Sequence, residues 1–369
     1  MRLNTQQLTT FFRKQGSPFF RRQSSPLLGI DISSTAVKLI ELRRLNTERL
    51  RVESYAIEPL PKNAVVEKNI ANLEAVSESV RTALKRAQTK VKEGAVAVSS
   101  SSAISKTLTL PAHLSNEDME AQVNLQADQN IPYPLEEVNL DFQVLGTSAH
   151  NPEEVDVLLV ASRSENVDIR VDALEAAGLK TKIVDVESYA LEKAFRLIAP
   201  DLPGDEPKTV AVVDIGATMT SLTVFEGERI VYTRDQVFGG RQLTEEIMRC
   251  YGLSYEQADT KKCRGGLPDS YETEVLEPFK EAMAQQAARS LQFFFGASQH
   301  NNIDHILLAG GCAAIAGAAE VIEEHTAAPT TVANPFGRMA VSSRVQPQSL
   351  AEDAPSLMIA CGLALRSYG

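Results

Sequence analysis

An apolar run that stops on an aspartate, crosses a tip of small or hydroxyl residues and returns as a second β-rich run occurs twice in this chain. In Lys208–Phe225, KTVAVVDIGATMTSLTVF, the run Val210–Val213 ends in Asp214, the tip is Gly216, Ala217 and Thr218, and Thr220–Phe225 carries the chain back. In Leu27–Leu42, LLGIDISSTAVKLIEL, the run ends in Asp31, the tip is Ser33, Ser34 and Thr35, and the return strand contains Lys38. Small tips let backbone N–H groups face an anion, hydroxyls add donors, and a carboxylate at the strand end suits a hydrated Mg²⁺. Either hairpin standing alone reads first as an ordinary tight turn with an Asp at a strand end. A third element, Ile306–Ile315, ILLAGGCAAI, runs from a buried-strand pattern into Gly310-Gly311 and a helix, which suits close approach of backbone to a nucleoside.

The chain has 369 residues, enough for two lobes with cores of their own. Its net charge of -11 argues against a nucleic-acid binder, because phosphate backbones are held mainly by Lys and Arg. A single phosphate ligand held by backbone N–H groups and one lysine remains compatible with that charge. Cys250, Cys263, Cys312 and Cys361 are widely spaced without a C-x-x-C pair and read as reduced thiols of a cytosolic protein. The five histidines have no zinc-site spacing. Ile306–Ala319, the longest uncharged apolar stretch, is too short and too rich in Gly and Ala to span a bilayer.

Residues 1–26 stand apart, with Arg2, Arg13, Lys14, Arg21 and Arg22 interleaved with Phe11, Phe12, Phe19 and Phe20. The segment reads as a disordered tail, since Gly16, Pro18 and Pro26 interrupt any helix; a peptide lying on an anionic membrane is the other reading. A first lobe follows over residues 27–199. It comprises the hairpin, a strand Leu50–Ile57, a helix Leu73–Thr89 and a strand Ala95–Ser99; the serines Ser99–Ser102 lack a nucleophile-elbow context and read as a turn. Residues 103–163 change to strand, helix, strand, strand, a small α+β insert with strands Ala103–Leu110 and Val138–Leu145 and a helix capped by Ser115. That helix exits through the rigid corner Pro132-Tyr133-Pro134. A helix, Glu165–Ala176, and a strand, Thr181–Val186, lead to Glu187 and another helix.

The linker Pro200–Pro207 marks a boundary, and the second lobe spans residues 208–354. After its hairpin come a strand Arg229–Thr233, Gly239-Gly240, a helix Leu243–Tyr251 with Glu245 and Glu246 in its first turn, and a long helix Tyr271–Ser298 kinked at Pro278. The glycine pair Gly310-Gly311, a strand near Thr330 and a closing helix in residues 355–369 complete the chain.

The order of these elements resembles the actin, Hsp70 and sugar-kinase superfamily, in which two similar domains close on ATP. The phrases GIDISSTAVKLIEL, IPYPLEEV, VVDIGATMT, FGGRQLTEEI, HILLAGG and MIACGLALR resemble the PilM family of type IV pilus assembly proteins, over Leu27–Tyr368. The fold class so implied is α/β: a two-lobed actin-like ATPase fold with a small α+β insert in the first lobe, as in the cell-division relative FtsA. The resemblance implies a cytoplasmic protein, peripheral at the inner membrane, that binds ATP and Mg²⁺ and takes the short N-terminal tail of PilN beside its insert. Other pilus inner-membrane proteins, motor ATPases and further copies of the chain are the remaining implied partners.

Onto that frame the residues distribute as follows. Ser33, Ser34, Thr35 and Lys38 from one lobe, and Gly216, Ala217, Thr218 and Thr220 from the other, would hold phosphates. Asp31 and Asp214 would hold Mg²⁺ through water. Gly239, Gly240, Gly310 and Gly311 would admit the nucleoside, with Glu245 accepting from ribose hydroxyls or simply favouring its helix end. Lys38 has the alternative of a solvated strand lysine. Glu187 is the acid nominated to orient an attacking water, while Thr220 and Ser221 stand where many superfamily members carry a further carboxylate, so binding is expected to outweigh turnover. Pro132, Tyr133 and Pro134 would wall a peptide groove, or else pack the helix end. The competing functions are an FtsA-like membrane filament protein and a small-molecule kinase, the latter lacking a second basic pocket in this sequence.

Overall fold

In a computed structural model of the chain, the residues described are 26–46, 49–149, 151–204 and 208–368. The basic aromatic segment lies outside them up to Ser25, as do residues 205–207 of the linker. The chain divides into two compact units. One takes the residues up to Leu42, Ala56–Ala190 and Leu363 onward; the other takes Arg43–Tyr55 and Leu191–Gly362.

The first unit is built on strands β1 (Leu28–Ile32), β2 (Ala36–Arg44, as far as Leu42), β3 (Leu50–Pro59, from Ala56 on), a two-residue-strand hairpin of β4 (Val65–Val66) and β5 (Asn69–Ile70), helix α1 (Leu73–Ala87) and strand β6 (Glu93–Val98). After the insert come α3 (Ser164–Ala176), β10 (Lys180–Val186) and the start of α4 (Glu187–Ile198), whose residues from Leu191 on belong to the other unit. The sheet order is β10-β6-β1-β2-β3. All five residues of β1 are buried, antiparallel to β2 and parallel to β6, because β1 has a neighbour on each side and core on each face. Helix α1 is capped by Asn72, whose side chain accepts from the Ala75 N–H, and buries Val76, Val80, Ala83 and Ala87, one face at helical spacing.

The insert consists of β7 (Ala103–Pro111), α2 (Asn116–Asn130), β8 (Val138–Thr147) and β9 (Glu154–Arg163), with sheet order β7-β9-β8. Ser115 caps α2 by accepting from the Asp118 N–H at 3.1 Å. Met119, Val123 and Ala127, four residues apart, bury the helix against Val157, Leu159 and Ala161 of β9, a small core of its own.

The chain's last residues also belong to this unit. Asp185, only 2% exposed, accepts two bonds from Arg366, Nε at 2.5 Å to Oδ2 and Nη2 at 2.9 Å to Oδ1. Ser367 Oγ accepts from the Leu27 N–H, and the Tyr368 hydroxyl donates to the Leu42 carbonyl. A carboxylate so deeply buried requires a partner of this kind.

The second unit has strands β11 (Thr209–Ile215), β12 (Thr220–Glu226), β13 (Arg229–Gln236), β14 (His305–Ala309) and β15 (Thr330–Val332), ordered β13-β12-β11-β14-β15. Its helices are α5 (Gly240–Tyr251), α6 (Tyr255–Arg264), α7 (Glu277–Ala297) and α8 (Ala318–Thr326). Toward the end come β16 (Ala340–Val341), parallel to Arg51 and Val52, then α9 (Pro347–Asp353) and α10 (Met358–Leu365). Phe195 and Phe225 stack with centroids 4.1 Å apart, worth about 1 kcal/mol beyond their burial. Among the described residues no helix is long and apolar enough to cross a membrane.

Several local expectations need correction. Helix α5 begins at Gly240, so Glu245 sits in its second turn, not its first. The long helix expected from Tyr271 is present, running through a π-helical turn, Glu272–Leu276, directly into α7, with Pro278 just after that turn. Gly311 opens a short 3-10 turn, Gly311–Ala314, ahead of α8. Helix α6, with its Ser254–Gln257 capping box, went unread because its face is polar apart from Ala258. The serine run forms a 3-10 turn, with the Ser99 hydroxyl bonded to those of Ser101 and Ser102.

Replacing Arg366 by Met should lower the free energy of unfolding by about 3 kcal/mol or more, since Asp185 is left buried and unpaired. Urea denaturation checks this; a loss below about 1 kcal/mol would show that the pair is solvated.

Candidate functional site

In the first unit the antiparallel register sets Asp31 directly opposite Lys38. Lys38 Nζ donates to Asp31 Oδ2 at 3.0 Å, with the carboxylate side chain 3% exposed. The tip between them is closed by Ser33, whose N–H and hydroxyl both donate to the Ala36 carbonyl, at 3.0 and 2.8 Å. The Thr35 carbonyl accepts from the Leu60 N–H, fixing the tip to the chain beyond β3; Ser34 and Thr35 are both half-buried. The lysine expected to serve a phosphate thus already neutralises the carboxylate expected to serve a metal.

Strand β10 delivers Glu187 to the first turn of α4, where its carboxylate accepts from Lys68 Nζ at 2.7 Å. Both side chains are largely buried, 18% and 12% exposed. Beside them lies Arg170, 2% exposed on α3, donating to the carbonyls of Ala97 (2.7 Å), Asn166 (2.9 Å) and Lys68 (2.9 Å). Burial pushes the Arg170 guanidinium pKa down, opposed by Glu187 and then Asp31. Neither Lys68 nor Arg170 was picked out from sequence. The signal for Arg170 was available: it sits among Val167, Ala173 and Leu174 on the buried face of α3, where an arginine needs a reason.

In the second unit Asp214 is paired across β11 with Ser221 of β12 and Ala309 of β14. The turn after it is closed by the Gly216 N–H donating to the Met219 carbonyl, with Ala217 and Thr218 half-buried at the tip. Gly240 and Arg241 donate their N–H groups to the carbonyls of Gly216 and Ala217, at 3.0 and 2.7 Å, so the start of α5 rests on the hairpin turn. A Cβ on Gly239 would lie 2.5 Å from the Gly216 carbonyl oxygen. Gly310, at φ +86°, would place a Cβ 2.5 Å from Asp214 Oδ1 and against the Ile215 carbonyl. These two glycines are required by the protein's own backbone. A Cβ on Gly240 would touch Cys312 Sγ at 3.0 Å, and Gly311 faces open space.

Two residues of the expected set are placed for other work. The Thr220 side chain is buried and its hydroxyl donates to the Phe238 carbonyl at 3.0 Å, tying the hairpin to the loop before α5. Glu245 is exposed on α5. Lys262 of α6 donates at 2.7 Å to the hydroxyl of buried Thr244 and to Asp259. Burial pushes the Cys312 thiol up to about 11, with Lys262 opposing, so it stays protonated as it donates to the Gly216 carbonyl.

On the insert, Ile131 closes α2 and packs in the core, while Pro132, Tyr133 and Pro134 are exposed. The Arg163 guanidinium lies 4.5 Å from the Tyr133 ring centroid, a cation–π contact that holds the ring. Leu135, Val138, Leu140 and Phe142 pack on the insert core while keeping some exposure.

The donor set at the first hairpin suits an anion, with Lys38, Lys68 and Arg170 facing Asp31 and Glu187. In the second unit the Arg241 Nε is buried without a partner beside the turn its N–H supports. Among the described residues no group of three or more His, Cys, Asp or Glu is arranged for a metal. One carboxylate per hairpin is the quota typical of Mg²⁺ carried by phosphates.

Two α/β units, each with a hairpin ending in a carboxylate, and a strand-helix-strand-strand insert in the first define an actin-like ATPase fold. EutJ, the ethanolamine utilization protein of Carboxydothermus hydrogenoformans, shares this fold at 15% identity and a TM-score of 0.55, over 92% of this chain and 90% of its own. The family model of the type IV pilus assembly protein PilM matches residues 29–368. A chain of a solved PilM-PilN type IV pilus biogenesis complex is 28% identical, with a TM-score of 0.78, over 94% of this chain and 99% of that one. The chain belongs to the PilM family of type IV pilus assembly proteins.

The two neighbouring glycines give opposite expectations. Gly310→Ala should cost roughly 3 kcal/mol, from a left-handed backbone and a close contact together, whereas Gly311→Ala should change stability by less than about 1 kcal/mol. Thermal melts of both variants check this; equal losses would mean that the close packing on Asp214 is absent.

Proposed function

We propose that this protein is an ATP-binding scaffold on the cytoplasmic side of a type IV pilus machine, which captures the N-terminal tail of a PilN-type membrane protein at its insert. The observation that carries the reading is the whole-length likeness to the PilM chain of a PilM-PilN complex. Peripheral placement at the inner membrane then follows from the partner.

Asp31 in the first unit and Asp214 in the second would each offer a carboxylate to hydrated Mg²⁺, and the tips Ser33–Thr35 and Gly216–Thr218 would offer donors to phosphates. Bound ATP supplies the phosphoanhydride and most of the oxygen ligands of the metal. Gly311 and Lys262 are the groups on the second unit that serve the nucleoside. Glu187, bonded to Lys68 before nucleotide binds, would be the acid that orients water, while the Thr220 hydroxyl is engaged by the Phe238 carbonyl and Ser221 follows it, where many superfamily members carry a further carboxylate. Turnover is therefore slow, and binding is the output.

The tail binds as an extended peptide along the β8 side of the insert, with its apolar side chains against Leu140 and Phe142 and the Tyr133 corner as a wall. A ring held by Arg163 is preorganised for this, which lowers the entropy lost on binding.

The test has two arms on one preparation. A labelled PilN-type tail peptide should bind with a Kd on the order of micromolar, weakened at least about tenfold by Tyr133→Ala in a variant shown to be folded. Mg-ATP at about a hundred times its Kd should stabilise the wild type by about 2.7 kcal/mol. No peptide binding by the wild type would remove the scaffold reading, and no nucleotide stabilisation would remove ATP from it.

A further inference from the structure

Glu67 and Lys68 form the two-residue turn of the β4–β5 hairpin, and both are left-handed, with φ of 49° and 63°. Such turns normally hold Asn-Gly or Asp-Gly, because a side chain in this conformation costs on the order of 1 kcal/mol per residue. Neither residue here is one that relieves it. Strained positions of this kind persist where the surroundings fix them. Here they are fixed twice: the Lys68 carbonyl accepts from Arg170, and its ammonium is bonded to Glu187.

The three cations of this corner differ in freedom. Arg170 donates to three backbone carbonyls and cannot leave without unpairing them. Lys38 is fixed by strand register opposite Asp31. Lys68 extends from a turn tip, anchored at the main chain, and its ammonium is bonded to the Glu187 carboxylate, a contact that another anion can replace. A terminal phosphate carries roughly twice the charge of a carboxylate, so it can compete for that ammonium.

Resting on the nucleotide reading above, we propose that Lys68 is an exchange latch: its ammonium leaves the Glu187 carboxylate for the terminal phosphate of a bound nucleoside triphosphate, which makes Lys68 the group that distinguishes tri- from diphosphate. With a diphosphate the ammonium stays on Glu187. With a triphosphate Glu187 is released, so the same movement that reads the third phosphate frees the carboxylate.

The test measures the affinities of Mg-ATP and Mg-ADP by calorimetry on the full chain. Lys68→Met should weaken ATP about tenfold and leave ADP within about twofold, and Lys68→Arg should keep the wild-type preference. Glu187→Gln, nearly isosteric, removes the competitor, so ATP should tighten by about tenfold without a matching gain for ADP. Opposite changes at the two ends of one ion pair are not what a merely structural contact would give. An ATP/ADP ratio unchanged in Lys68→Met and Glu187→Gln overturns the proposal while leaving nucleotide binding intact. A wild type that binds neither nucleotide overturns the nucleotide reading and the latch with it. If Lys68→Met fails to fold, Glu187→Gln alone decides.

Discussion

A carboxylate at the end of a fully buried central strand has to be neutralised, and this requirement organises the first unit. Asp31 is 3% exposed at the end of β1, a strand buried along its whole length. Burying a charge without a partner costs several kcal/mol. Lys38 meets the need through strand register, and the field of Arg170 adds to it. The same logic repeats at Glu187 with Lys68. These pairs are weak evidence for stability as such, because well-packed apolar residues would serve equally. Under the proposed exchange, the Glu187–Lys68 pair is retained because a nucleotide phosphate takes over its lysine.

In the second unit the constraint is steric. The hairpin turn after β11, the loop before α5 and the turn after β14 approach so closely that Gly239 and Gly310 leave no room for a Cβ. Asp214 is held against that glycine, and the buried thiol of Cys312 donates to the same turn. The result is a rigid platform of backbone, which is what an anion site made of N–H groups needs. Thr220 supports the platform from below through Phe238.

Much of this was legible in the sequence because it rests on period and punctuation. The two hairpins, the insert and the Gly310-Gly311 turn announce themselves as apolar runs broken by Asp, Gly and Pro, and the fold follows from their order. The role of the glycines was not legible in the same way: a Gly-Gly pair signals close approach but not what approaches, and at Gly239 and Gly310 it is the chain itself. Thr220 reads as a phosphate donor until the Phe238 carbonyl, far along the chain, takes its hydroxyl. Lys68 was hidden because its hairpin has strands of two residues and a turn without Gly or Asn, below what alternation can signal. Helix α6, polar nearly all round, escaped for the complementary reason that it carries almost no apolar stripe.

Central to the proposed function is phosphate held at the Asp31 corner. A diffraction structure of the chain with Mg²⁺ and a non-hydrolysable ATP analogue tests that most directly. It should place phosphate oxygens within about 3 Å of the Ser33–Thr35 tip, with Lys68 moved off Glu187. Nucleotide bound elsewhere, such as the cavity of about 250 Å³ lined by His305 and Arg338, with both lysine pairs unchanged, would contradict it.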